Sequence, residues 1–216
     1  MLRNDTIASL REDYQRDTLE INEVAQNPIE QFTIWFNEAL NSNELEPNAM
    51  TLATATKDGI PSARIVLLKG VHDENFTFYT NYNSKKGQEL IDNPNAALVF
   101  NWLSMQRQIR IQGSVKKISR SESEAYFQSR PKGSQIGAWA SPQSQVINDR
   151  DILEDKKTAL ETEYQNTEIL PCPPHWGGFL VEPKVIEFWQ GRSSRLHDRI
   201  CYTKLGNDWK IERLAP

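Results

Sequence analysis

Thr51-Leu-Ala-Thr-Ala-Thr56, then Lys57-Asp58-Gly59, then Ala63-Arg-Ile-Val-Leu-Leu-Lys69 is the stretch on which the fold class turns. Two runs rich in β-formers flank a turn signal, which reads as a β-hairpin. Working outward, further strands are expected at 76–79, 96–102 and 107–118, separated by polar or glycine-containing connections. After a helical interval, 177–181, 185–189, 200–202 and 209–214 read as closing strands, the last two a hairpin about Gly206-Asn207-Asp208. Strands this close together, without long helices between them, predict an antiparallel sheet or small barrel rather than a doubly wound α/β fold.

Helices are expected around the sheet. Pro28 opens a segment in which Ile29, Phe32, Trp35, Phe36 and Leu40 recur at steps of three and four, an amphipathic helix. Residues 84–93 start with Ser84 as a cap, 119–130 place Ser119 and Glu122 at capping-box spacing, and 149–165 form a longer charged helix. The segment after Arg130-Pro131 reads as a loop holding Ser134. Residues 1–26 read as a mobile or loosely helical arm, and 27–216 as one domain without repeats or low-complexity linkers.

With 216 residues, 38% hydrophobic and 25% charged, the chain can bury a sizeable core. No run of eighteen apolar residues occurs, so no transmembrane helix is expected. The first sixteen residues lack an apolar core and cleavage site, which makes a cytoplasmic location the expectation. Two cysteines and three scattered histidines match no metal or redox spacing. A net charge of −4 argues against nucleic-acid coating, so local basic clusters need local anionic targets.

Five clusters can carry chemistry. Arg64 and Lys69 bracket an apolar strand on opposite faces, either as solvent-facing ends or as a cationic site. Tyr79-Thr80-Asn81 and Ser84-Lys85-Lys86 place hydroxyls and ammonium groups at a strand-to-helix junction, which suits an anion as well as it suits solvated lysines. Gln108 and Gln112 share one side of a strand, where an amide can both donate to and accept from a heterocycle edge. Tyr126, Arg130 and Ser134, followed by Gln143-Ser144, offer donors to a second phosphate. Arg195 and His197, two residues apart, can hold and polarise a heteroaromatic ring.

Taken together, Arg64-Ile-Val-Leu-Leu-Lys69, Phe78-Tyr-Thr-Asn81, Ser129-Arg-Pro131, Ser134-Gln-Ile-Gly-Ala-Trp139, Trp176-Gly-Gly-Phe179, Ile186-Glu-Phe-Trp-Gln-Gly191 and Arg195-Leu-His-Asp-Arg199 resemble the pyridoxine/pyridoxamine 5'-phosphate oxidases. The resemblance extends from Arg11 to the terminal Arg213-Leu-Ala-Pro216. It implies a mainly β split barrel with flanking helices, a homodimer, and FMN held in clefts between the subunits. It implies FMN contacts from Arg64, Ile65, Val66, Leu67, Leu68, Lys69, Tyr79, Thr80, Lys85, Lys86, Gln108, Gln143, Ser144, Trp189 and Arg199. Lys69, Tyr126, Arg130 and Ser134 would meet the substrate phosphate. Arg195, Leu196 and His197 would meet its ring, with Arg195 and His197 catalytic, and Arg11, Glu12, Asp13 and Tyr14 would close as a lid.

The reaction so implied oxidises pyridoxine 5'-phosphate or pyridoxamine 5'-phosphate with dioxygen to pyridoxal 5'-phosphate, releasing hydrogen peroxide and, from the amine, ammonia. Neither a metal, a membrane nor a nucleic acid is implied. Lys85 stands where the family carries arginine, exchanging a planar fork for a point charge, and Arg192 is a charge without an assigned role. The competing readings are a split-barrel flavin reductase with a different acceptor and a non-catalytic flavin or pyridoxal phosphate carrier.

Overall fold

The computed structural model describes residues 9, 10 and 12–216; Arg11 lies outside the described residues. Its elements run α1 (Pro28–Leu40), β1 (Ala49–Ala55), β2 (Pro61–Leu67), β3 (Gly70–His72), β4 (Asn75–Asn81), α2 (Lys85–Asp92), β5 (Asn95–Trp102), β6 (Arg107–Lys117), α3 (Arg120–Ser129), α4 (Lys132–Ala140), α5 (Asp151–Glu163), β7 (Trp176–Gln190), β8 (Asp198–Leu205) and β9 (Asp208–Arg213). The expected mainly β class with flanking helices is what the chain adopts. The strand order is β2-β1-β5-β6-β7-β4-β3, with β8 on β7 and β9 on β8.

Contacts divide the chain into two compact units, and β5, β6 and β7 are long enough to contribute to both. One unit comprises Ala49–Ala97 and Gly113–Pro183. Here β1 and β2 pair antiparallel from Ala49 opposite Leu67 to Ala55 opposite Pro61, and Gly59 takes φ +82 in the turn, a backbone state cheap only for glycine. β4 pairs with β3 and, on its other side, with β7, where Tyr79 and Thr80 face Gly178 and Gly177. Met50, Leu52, Phe76, Phe78, Phe179 and Val181 are buried on this framework. Beside them Phe127 of α3 and Ile136 of α4 form a second apolar cluster with Leu170, Cys172 and Trp176.

The other unit comprises Met1–Asn48, Leu98–Gln112 and Lys184–Pro216. Asn27 caps α1 by accepting from the Ile29 N–H at 2.7 Å, with Pro28 in the first turn where a missing N–H costs nothing. The buried face of α1 sets Phe32 edge-on to Phe100 and Trp35 edge-on to Phe188, each pair 5.2 Å apart. β8 and β9 close on Gly206-Asn207, with Leu205 opposite Asp208. Among residues 9–26, Asp17 pairs with the buried Arg107, which also meets Glu38 and Gln190 and packs over Trp35 at 4.3 Å.

Two expectations need correction. The segment carrying Ser134 is a helix, α4, and not a loop. The strands expected at 177–181 and 185–189 are one fifteen-residue strand, β7. Among the described residues no helix is long and apolar enough to cross a membrane.

Candidate active site

The first unit contains a cavity of about 680 Å³ bordered by β2, β4, the start of α2, α3, α4 and the loop after α4. Its lining gathers Arg64, Ile65, Val66, Leu67, Lys69, Tyr79, Thr80, Lys86, Tyr126, Arg130, Ser134 and Gln143 of the sequence-derived set. One end is cationic. Lys86 Nζ donates to Thr80 Oγ1 at 3.2 Å and Gln143 Oε1 at 3.3 Å, and burial together with the Arg64 charge pushes its pKa down. Two cations held close enough to disfavour each other leave a place for an anion.

Arg64 is aimed by the β1–β2 hairpin. It donates to Leu52 O at 3.1 Å, Thr54 Oγ1 at 2.6 Å and Ser62 Oγ at 2.6 Å, and pairs with the buried Glu89 of α2 at 3.4 Å. Burial would raise the Glu89 pKa. Hydrogen bonds from Ser62 and Thr54 and the Arg64 charge outweigh it and hold the carboxylate low.

A second donor set sits on α3 and α4. Tyr79 stacks on Tyr126 at 3.8 Å and on Trp176 at 5.4 Å, a wall of nearly parallel rings. The Arg130 guanidinium lies 4.7 Å from the Trp176 ring, and burial lowers its pKa. Its Nη1 is buried without a hydrogen-bond partner among the described residues. A buried guanidinium nitrogen without an acceptor is costly, so this atom marks where an anionic oxygen fits. Burial also keeps the Tyr79 phenol protonated, able to donate.

The other unit has its own cavity of about 640 Å³, lined by Leu10, Glu12, Asp13, Tyr14, Arg192, Ser194, Arg195 and His197. Tyr14 lies edge-on to Trp189 and tilted to His197, each 5.9 Å away. A Cβ on Gly191 would come within 2.8 Å of the Tyr14 ring, so glycine is what admits that ring. Burial and the Arg195 charge lower the His197 pKa against the opposing pull of Asp198. Arg199 is occupied by Glu187, with Nε to Oε1 at 2.8 Å, and by Ala215 O. Gln108 is half-buried on β6 in the same unit.

Several expected residues stand apart from these linings. Leu68 is buried in the core, Leu196 is 69% exposed, and Ser144 is an exposed residue at φ +71. Lys85 turns away from the cationic end: its ammonium approaches Glu89 at 3.9 Å and lines a separate recess with Thr56, Lys57, Asp58, Gln88 and Asp92. Conversely, Trp176, Glu89 and Asp198 had no assigned role in the sequence reading. Trp176 and Asp198 fall within the Trp176–Phe179 and Arg195–Arg199 motifs, and Glu89 stands one helical turn beyond Lys85, which is the signal that points to it.

Two donor sets and a wall of rings, on an antiparallel sheet with flanking helices, are the features a phosphorylated aromatic ligand would need. The family model for pyridoxamine 5'-phosphate oxidase matches residues 36–163, and that for the pyridoxine 5'-phosphate oxidase C-terminal dimerisation region matches 176–216. A pyridoxine/pyridoxamine 5'-phosphate oxidase of Acaryochloris marina is 58% identical over 98% of this chain and 96% of its own, and one of Salinibacter ruber 53% over 97% and 99%. The chain belongs to the pyridoxine/pyridoxamine 5'-phosphate oxidase family, and it is an enzyme. Among solved structures, PhzG of Burkholderia lata 383, in complex with tetrahydrophenazine-1-carboxylic acid, superposes with TM-score 0.87 at 33% identity over 93% of this chain and 98% of that one. A pyridoxamine 5'-phosphate oxidase-related, FMN-binding protein of Nostoc punctiforme shares the fold, with TM-score 0.69 at 18% identity over 88% and 98%.

Proposed function

We propose that this enzyme oxidises pyridoxine 5'-phosphate and pyridoxamine 5'-phosphate with dioxygen to pyridoxal 5'-phosphate and hydrogen peroxide, with ammonia from the amine, using FMN and working as a cytoplasmic homodimer. The partnerless Arg130 Nη1 on the aromatic wall carries this reading, because it asks for an anion beside a flat ring. In it Arg64, Lys86, Thr80 and Gln143 grip the FMN phosphate, and the β2 segment Ile65–Leu67 backs the flavin. Trp189, Arg199 and Gln108 complete the cofactor's surroundings in the dimer, while Lys85 contributes at most its charge. The donors present suit a phosphate dianion at each position.

Arg130, Tyr126, Ser134 and Lys69 then anchor the vitamin phosphate, and Arg195 and His197 orient the pyridine ring, with Glu12, Asp13 and Tyr14 closing above it. Bound FMN supplies the hydride acceptor and the route to dioxygen. The protein's contribution is placement: an anchored phosphate and an oriented ring turn an encounter into an intramolecular arrangement. Purified protein with FMN and either vitamin ester under air should form aldehyde and peroxide over many turnovers. A preparation that binds both ligands and turns over neither would reduce it to a carrier. Preference for a phenazine-type carboxylate lacking phosphate would make the Arg130 assignment wrong.

A further inference from the structure

Arg195 and His197 hang on a turn whose backbone is strained. Ser194 and Arg195 both have positive φ, +56 and +61, where non-glycine residues pay a steric cost and persist only if held. The turn is closed twice by one residue. The Arg192 backbone N–H donates to His197 Nδ1 at 3.1 Å, and its Nη1 donates to Asp198 Oδ2 at 2.9 Å. Asp198 is itself a fixed post: buried, it accepts from the Leu19 N–H at 3.1 Å and from Arg213 Nη1 at 2.7 Å.

The first contact has a chemical consequence. A nitrogen that accepts a backbone N–H cannot carry a proton, so the neutral ring holds its proton at Nε2. The ionisable groups facing the ring are Arg192, Arg195 and Asp198 from the turn and Glu12, Asp13 and Tyr14 from the N-terminal segment; Trp189 of β7 adds an uncharged wall.

We propose that Arg192 is a positioning residue for the oxidation: by bridging to Asp198 it clamps the strained turn, fixes His197 as the Nε2–H tautomer and holds Arg195 in its left-handed pose. The proposal rests on the role of Arg195 and His197 given above. The clamp acts through a side chain that is about one-third exposed, and Asp198 keeps its Leu19 and Arg213 partners without it, so the Arg192 variants are expected to fold.

The test is made on FMN-loaded Arg192→Ala and Arg192→Lys enzymes. In ring-nitrogen NMR of the resting enzyme, assigned against His197→Gln, the wild type should show an unprotonated Nδ1. Arg192→Ala should mix the tautomers and raise the His197 pKa, because it loosens the N–H that occupies Nδ1 and removes a nearby cation. Its kcat should fall about tenfold, the worth of one hydrogen bond to a charged group, with KM for the vitamin ester within about twofold and the acidic limb of kcat/KM moved up in pH. Arg192→Lys, which can still bridge Asp198, should recover most of kcat.

A wild-type His197 titration and an unmoved acidic limb in Arg192→Ala would overturn the proposal, even with lowered thermal stability. So would a lysine variant no better than alanine. A wild type that turns over no vitamin ester would instead remove the functional reading, while the NMR titration would still decide whether the clamp sets the tautomer.

Discussion

Arg130 is where the two phosphate assignments part company. Its guanidinium lies against the Trp176 face and, among the described residues, has one buried nitrogen without an acceptor, so under the proposed function truncation removes a charge-assisted contact to the vitamin phosphate. Such a contact is worth about 1.5–3 kcal/mol, which predicts that Arg130→Ala raises the vitamin ester's KM ten- to a hundred-fold. Flavin titration followed by fluorescence quenching should be unchanged; a variant that loses FMN and keeps substrate affinity would reverse the assignment of the two anion sites. Arg130, Ser134 and Lys86 were legible in the sequence as cation and hydroxyl clusters inside an acidic chain. Lys85 was not, because adjacent lysines differ only in helical phase: the one phased toward Glu89 is drawn to a carboxylate a turn away, and the other faces Thr80 and Gln143. Trp176 was equally hidden, since nothing local says that a strand's first residue will stack on Tyr79 and Tyr126.

Capping shows which elements could be read ahead of the structure. Both halves of the capping box at α3 form: Ser119 Oγ accepts from the Glu122 N–H at 3.2 Å, and Glu122 Oε2 accepts from the Ser119 N–H at 3.0 Å. Ser119→Ala should therefore cost about 1 kcal/mol, seen as a lower urea midpoint with unchanged slope; because α3 carries Tyr126 and Phe127, the substrate's KM should also rise. A midpoint equal to the wild type would show that tertiary packing alone holds this helix. The β1–β2 and β8–β9 hairpins were likewise legible, since turn residues and alternation are local signals. Helix α4 was not: it has no side-chain cap and contains Gly133 and Gly137, and what shapes it is burial of Ile136 beside Phe127 and Leu170, with Ala138 and Trp139 packed against the same cluster. The strands expected at 177–181 and 185–189 are one, and Pro183 between them falls after Val181, the last residue paired with β4, and before Val185, the first paired with β8, so neither of those two pairings uses its missing N–H.

Burial of ionisable groups throughout the chain sets how stability should vary with pH. Asp198, Glu187 and Glu89 lose hydration on folding, which would raise their pKa values. Hydrogen bonds and charges from Arg213 and Arg192, from Arg199 and Arg110, and from Ser62, Thr54 and Arg64 more than reverse this. Their folded pKa values lie below the unfolded ones, so the unfolded chain binds protons more readily, and the stability they contribute is complete above about pH 4.5 and is lost as pH falls through the folded values. His197, also depressed, acts in the same direction from about pH 6.5 downward, with a smaller effect because it is partly exposed. On the alkaline side the order inverts. Burial raises Tyr202, Tyr79 and Tyr82, so folded pKa values exceed unfolded ones, and stability present below about pH 10 is lost as pH climbs beyond it. The urea midpoint should therefore form a plateau between about pH 7 and pH 9, decline gently toward pH 5 and fall steeply below pH 4.5. Arg213→Ala, which takes a donor from Asp198, should lower the plateau and flatten the acid fall; a variant whose acid limb stays as steep as the wild type's would mean that Asp198 does not titrate with folding.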